Sequence, residues 1–253
     1  MIASLPMYDW PEVRDATDRF WLTLSHRLDV DVSLWRDGDH VQPWRDPAML
    51  FSQTCGYPFT HEFRGKLTYV ATPHYAVDGC DGPYYSSIVF ARSFAPLEEF
   101  RGSRVAVNSR NSMSGMLALK LVFAPLAKQG IFFSETVLTG GHVASLDAVR
   151  LGKADVCAID AVCVALARRY RPELLQGLVE IARSPLVAGL PFVTIAGNVE
   201  TLRRGLQRVF DDPALCETRA QLFLDGTSIL KQNHYDRILQ LETAVENAGG
   251  MRL

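Results

Sequence analysis

What most limits the folds open to this chain is the rhythm of its apolar segments: short apolar runs ending in turn residues alternate with amphipathic stretches over most of its length. Such alternation predicts an α/β architecture of mainly parallel sheets flanked by helices. Strands are expected at Ile2–Met7, Met49–Gln53, Leu67–Thr72, Tyr85–Ala91, Arg104–Asn108, Thr136–Leu138, Val156–Ile159, Glu180–Ala182 and Phe192–Ile195. Asp9-Trp10-Pro11-Glu12 reads as a helix start, with Asp9 as cap and Pro11 in the first turn. The helix that follows places Val13, Ala16, Phe20, Leu24 and Leu28 on one stripe, the spacing of a core-facing surface. Further helices are expected at Gly115–Lys128, Val143–Leu151 and Ala161–Tyr170, and the chain after Ile195 reads as helices alone, Val199–Phe210, Pro213–Phe223 and Tyr235–Ala248.

At 253 residues with 48% hydrophobic content, the chain has enough apolar surface for one large domain or two lobes with a core each. A net charge of −2 gives no general attraction to nucleic acid or anionic membrane, and Arg168, Arg169 and Arg171 read as a solvated helix face. No window approaches the ~18 apolar residues of a membrane span. The opening Met1–Leu5 meets Pro6, Asp9 and Trp10 too early for a secretory signal, so the chain as written carries no export address. The five cysteines form no C-x-x-C pair, which disfavours a zinc ribbon or thioredoxin-type site; Cys55 and Cys80, each beside glycine in loop-like segments, are the pair that a disulfide would join. The six histidines show no metal-ligand spacing, and no cofactor motif is present.

Three segments carry chemistry. Asn108-Ser109-Arg110-Asn111-Ser112-Met113-Ser114-Gly115 follows a strand and opens an apolar helix; unpaired N–H groups and serine hydroxyls there suit an anion, although Ser112 or Ser114 as a plain helix cap explains the octapeptide as well. No phosphate-loop lysine accompanies it. Thr139-Gly140-Gly141-His142 lies at a second strand-to-helix turn, where His142 can face an anion or sit on the surface. Asp160 ends a buried-looking strand, placed to orient a ligand or to cap the next helix. Tyr8, Tyr57, His74, Tyr75, Tyr84 and Tyr85 follow successive strands, as packing residues or as the wall of a ligand cleft, and Thr54 opens the turn after the second strand. A Ser/His/Asp set of Ser112 or Ser114 with His142 and Asp160 has the residue types for hydrolysis but lacks a G-x-S-x-G elbow.

Taken in order, four stretches resemble the periplasmic solute-binding proteins of phosphate and phosphonate ABC transporters: Tyr84-Tyr85-Ser86-Ser87-Ile88-Val89, the Asn108–Gly115 loop with Met113 where a Thr is frequent, Gly141-His142 with Gly152-Lys153-Ala154-Asp155-Val156, and Arg183–Pro191. The resemblance covers residues 84–195 well and the first 80 loosely. It implies a two-lobed type II periplasmic-binding-protein (Venus-flytrap) fold, with lobe one at 1–89 plus 190–253, lobe two at 90–189, and a small anion clamped between them without chemistry. Carried over by position, Ser112, Ser114 and His142 meet the anion, Tyr84 or Tyr85 lines the cleft and Asp160 meets the ligand's distal end. Asn111, Tyr8 and Thr54 are further candidate ligand contacts that the resemblance does not itself supply. An ABC-transporter permease is the implied partner. The implied location is the periplasm if a signal has been trimmed, and the cytoplasm if the chain is complete as written. An enzyme of vitamin or menaquinone-precursor synthesis on the same fold is the alternative, because fold does not fix function.

Overall fold

The computed structural model describes residues 1–253. Its elements run β1 (Ile2–Ser4), α1 (Arg14–Arg27), β2 (Met49–Gln53), α2 (Gly56–Thr60), β3 (Thr68–Tyr75), β4 (Cys80–Asp81), β5 (Tyr84–Tyr85), β6 (Ser87–Ala91), β7 (Arg104–Val107), a π-helical turn (Met113–Leu117) leading into α3 (Ala118–Phe123), and β8 (Glu135–Leu138). They continue with α4 (His142–Arg150), β9 (Val156–Asp160), α5 (Ala161–Tyr170), β10 (Val179–Arg183), β11 (Val187–Ala188), β12 (Phe192–Thr194), α6 (Val199–Phe210), α7 (Cys216–Gln221), β13 (Leu224–Ser228) and α8 (Gln232–Asn247). The chain divides into two compact units: Met1–Ala76, Asp81–Pro83 and Ala188–Lys231 form the first, and Val77–Cys80, Tyr84–Val187 and Gln232–Leu253 the second.

The first unit holds a five-stranded sheet in the order β1-β2-β12-β3-β13. The α1 stripe is buried as its spacing predicts, with Val13, Ala16, Phe20 and Leu24 inside. Trp21 joins them, stacking on Phe51 of β2 at 5.7 Å, while Phe51 meets Phe192 of β12 at 5.0 Å. Each such ring removed from water contributes about 1.5–3 kcal/mol, so this aromatic layer fixes α1 on the sheet. Helix α6 closes against α1 at Gly205, where a Cβ would come within 3.0 Å of Leu24 and 3.1 Å of Leu28.

The second unit holds its own five-stranded sheet, β10-β6-β9-β7-β8. Strand β9 is buried along its whole length and fills the middle of the sheet. Asp155, at its mouth, takes Arg92 at 2.8 Å and Arg104 at 3.0 Å, and these guanidinium partners hold its carboxyl down at about 2. Phe123, Phe132 and Phe133 pack ring to ring at 4.9 Å under α3.

Two expectations are corrected, one on strand pairing and one on the chain after Ile195. The sheets are mixed rather than mainly parallel: β1·β2, β7·β8 and β7·β9 pair parallel, whereas β2·β12, β3·β12, β3·β13, β6·β9 and β6·β10 pair antiparallel. Parallel pairing needs a crossover that returns the chain to the same end of the sheet, and β6 and β12 instead begin just after the chain has passed from one unit to the other. The region after Ile195 is not all helix, because Leu224–Ser228 pairs with β3; its Asp225-Gly226 reads locally as a turn, but Gly226 lets the backbone lie against His74, whose Nδ1 is 3.3 Å from where a Cβ would stand. The compact units and the expected lobes divide the chain differently at 77–80, 84–89, 188–189 and 232–253. Helix α8 belongs with the second unit, where Lys120 reaches Glu246 at 3.6 Å, Met251 is buried and Arg252 N–H donates to the Gly130 carbonyl at 2.9 Å. Finally, the five cysteines are thiols with no Cys55–Cys80 disulfide; those two residues belong to different units, and burial pushes the Cys80 thiol up to about 12.

Candidate functional site

The two sequence segments with anion character meet within the second unit. Strand β7 ends at Val107 and β8 at Leu138, parallel neighbours that deliver their following loops to the same end of the sheet. The loops are stitched together: Thr139 N–H donates to the Val107 carbonyl at 3.0 Å and Gly140 N–H to the Asn108 carbonyl at 3.1 Å. Ser112 caps the helix that follows β7, accepting from Gly115 N–H at 3.0 Å. That helix starts with a π turn whose first backbone bond runs from Leu117 N–H to the Ser112 carbonyl at 3.0 Å, so the wide first turn keeps several N–H groups outside the helical ladder. Gly140, at φ +85°, turns the second loop, and α4 begins at His142 with no side-chain cap of its own.

Ser114 Oγ and His142 Nε2 stand 2.9 Å apart, joining the starts of the two helices, and Ser112 Oγ lies 3.4 Å from Ser114 Oγ. Burial pushes the His142 imidazole down to about 4, so at neutral pH the ring is uncharged. Its Nδ1 and the Asn108 Oδ1 are buried polar atoms without a hydrogen-bond partner. Gly115 is required beside Asn108: a Cβ there would stand 1.8 Å from Asn108 Oδ1. Thr139 Oγ1 and Ser145 Oγ, 2.6 Å apart, brace the α4 start. The cluster is thus built from hydroxyls, helix-terminal N–H groups and a neutral imidazole; Arg110, in the same loop, donates instead to the Leu253 carbonyl at 2.5 Å.

The other expected site residues have separate surroundings. Asp160 is buried and caps α5, accepting from Val162 N–H at 2.8 Å. It does not bond His142 Nδ1, so a Ser114–His142 pair without an orienting acid replaces the Ser/His/Asp set of the sequence reading. Tyr84 Oη bonds His234 Nδ1 of α8 at 2.7 Å, Tyr85 is buried, and Asn111 is exposed with its N–H on Ser109 Oγ at 3.2 Å. Tyr8 and Thr54 belong to the first unit, where Tyr8 meets Tyr75 edge to face at 5.1 Å and Thr54 N–H donates to the Pro191 carbonyl at 3.1 Å. Asn108, Thr139 and Ser145, which the sequence reading placed in or beside its segments without a role of their own, belong to the cluster, and Gln53 of the first unit was passed over. The signal for Gln53 was present, as a polar residue closing an apolar strand; His234, about 43 residues beyond the last motif, gave none.

Solved structures share this architecture. The chain superposes on a binding-protein component of an ABC phosphonate transporter from Pseudomonas aeruginosa with a TM-score of 0.78, at 19% identity over 98% of this chain and 87% of that one. With PhnD1 from Prochlorococcus marinus in complex with methylphosphonate the TM-score is 0.75, at 14% identity over 97% and 98%. With XAC2383 from Xanthomonas citri bound to ATP it is 0.70, at 16% identity over 98% and 97%. These likenesses establish the two-lobed periplasmic-binding-protein fold. No curated relative matches the sequence significantly. The profile of the family described as "ABC transporter, phosphonate, periplasmic substrate-binding protein" matches residues 48–238, and the chain belongs to that family. No helix is long and apolar enough to cross a membrane.

Proposed function

We propose that this protein is the periplasmic solute-binding component of an ABC transporter and that it takes a small phosphorus oxyanion, without chemistry, on Ser112, Ser114 and His142. The observation that carries this reading is the 2.9 Å contact between Ser114 and His142, which unites two helix starts around uncharged donors. Each charge-assisted bond from such donors to an oxyanion contributes about 1.5–3 kcal/mol, so a few of them suffice without a lysine or arginine. The helix N-termini add favourable potential for negative charge. Tyr84 or Tyr85 and Asp160 keep the ligand-facing roles that the family resemblance implies, Tyr8, Asn111 and Thr54 stay candidate contacts, and the partner is a permease of the same transporter.

Thermal-shift screening of the purified chain against phosphate, phosphite, sulfate and alkylphosphonates tests the reading. At a ligand concentration one hundred times Kd, stabilisation of about 2.7 kcal/mol is expected, a rise in Tm of roughly 5–11 °C for a chain of this size. A rise confined to phosphorus oxyanions is the expected outcome. No rise with any of them, or a rise with sulfate alone, overturns it.

A further inference from the structure

Arg110 is the one cation in the Asn108–Gly115 loop, and its Nη1 donates to the main-chain carbonyl of Leu253, 143 residues away in sequence, at 2.5 Å. The turn that carries it, Ser109–Asn111, is exposed and closes on itself through Asn111 N–H and Ser109 Oγ at 3.2 Å, so the Arg110 bond is what links it to a distant element. The Leu253 carbonyl is itself held in place. Residues 249–253 leave α8 and lie on the turn Lys128–Ile131, whose two end residues exchange backbone bonds at 3.0 Å. Met251 is 3% exposed, Arg252 N–H donates to the Gly130 carbonyl at 2.9 Å, and Gly250 N–H returns to the Val245 carbonyl at 2.9 Å. Gly130, at φ +73°, lets the two backbones approach, since a Cβ there would stand 3.3 Å from the Gly249 carbonyl oxygen. Segment 249–253 is thus a strap within the second unit, running from the turn that follows α3 to the turn that precedes the π-helical start of the same helix.

We propose that this strap, acting through Arg110, positions the anion loop: it holds the Ser109–Asn111 turn so that Ser112 and Ser114 keep the spacing in which they receive the oxyanion. The inference rests on the oxyanion reading above. Arg110 is a positioning residue here and does not itself meet the anion. A loop that leaves its place binds only in proportion to the time it spends there, so if one loop in ten stays competent without the strap, affinity falls about tenfold. The acceptor is a neutral carbonyl, which any cationic N–H donor of similar reach can satisfy.

The test combines calorimetric titration of methylphosphonate and inorganic phosphate with amide hydrogen exchange, on the full chain and on Arg110→Ala, Arg110→Lys, Met251→Ser and the Arg110→Ala, Met251→Ser double variant. Arg110→Ala and Met251→Ser should each weaken binding about tenfold and speed exchange across Ser109–Ser112. The double variant should bind about as well as either single one, because both substitutions remove the same brace. Arg110→Lys, which keeps a cationic donor for the carbonyl, should stay within about threefold of the parent. Gly130→Ala displaces the strap from its other side and should reproduce the Met251→Ser loss, standing in for that variant if it does not fold. Losses that multiply to about a hundredfold in the double variant would mean that Arg110 meets the anion directly. That result, unchanged exchange in the loop, or faster exchange with affinities within about twofold of the parent, overturns the strap assignment while leaving the oxyanion reading intact. Failure of the parent to bind either oxyanion overturns the oxyanion reading and the inference with it.

Discussion

Gly115→Ala places a methyl group where Asn108 Oδ1 already lies, and its consequences can be worked from the structure. The new Cβ would stand 1.8 Å from Oδ1, 2.8 Å from Cγ and 3.4 Å from Ser112 Oγ. An ordinary carbon–oxygen contact lies near 3.4 Å, so the Asn108 amide must retreat by roughly 1.5 Å or the π turn must shift. Oδ1 accepts no hydrogen bond, so the cost is one of overpacking, about 1–3 kcal/mol. For a chain of this length that lowers Tm by roughly 2–12 °C. Scanning calorimetry reads this directly, and a double-mutant cycle with Asn108→Ala isolates its cause, because removing the amide makes room for the methyl. The Asn108→Ala, Gly115→Ala double variant should regain most of the stability lost in Gly115→Ala. A Gly115→Ala protein melting within 1 °C of the parent, or a double variant whose losses simply add, refutes the packing argument.

Other consequences are equally open to measurement. Ser114→Ala should weaken oxyanion binding by about ten- to one-hundred-fold in calorimetric titration, the loss of one charge-assisted bond, while leaving the Ser112 cap in place. Burial pushes the His142 imidazole down to about 4 in the folded protein against 6.5 unfolded, so its contribution is fully present above pH 6.5 and is lost as pH falls to 4. Across that window stability should decline by up to about 3 kcal/mol, and His142→Gln should flatten the decline in denaturant titrations. Asp155, held down at about 2 by Arg104 and Arg92, acts lower, losing its stabilisation only as pH drops from 3.8 towards 2. Ser52→Ala strips the buried Trp44 Nε1–H of its 3.0 Å acceptor and Ser4 Oγ of its 2.8 Å partner, so about 1–3 kcal/mol should be missing from the unfolding free energy.

The sequence made some of this architecture legible and hid the rest for identifiable reasons. The α1 stripe could be read because its spacing follows the helical period and nothing competes with it, and β2, β6 and β9 because they are apolar runs bounded by turn residues. Strand β13 was hidden because its stability is not local: Asp225-Gly226 suits a turn, and only the ladder to β3 makes the segment extended. The expected helix to Lys128 ends earlier, at Phe123, where Pro125 leaves only a short 3-10 turn. In the cluster, Ser112, Ser114 and His142 were marked by their positions at helix starts, whereas their meeting depends on β7 and β8 lying side by side. Asp160, a residue type suited to a ligand, also caps α5, so its residue type alone does not tell the two roles apart. Met113, at the position where the resemblance expects a threonine, is buried, so under the proposed function the donors would be Ser112, Ser114, His142 and backbone N–H groups.

Whether Ser114 and His142 jointly hold a phosphorus oxyanion is decided most directly by calorimetric titration of methylphosphonate and phosphate into the parent chain and into the Ser114→Ala, His142→Ala double variant. The account predicts one-to-one binding by the parent and no measurable heat of binding in a double variant that retains the parent's circular dichroism. An unchanged dissociation constant in the double variant would contradict it.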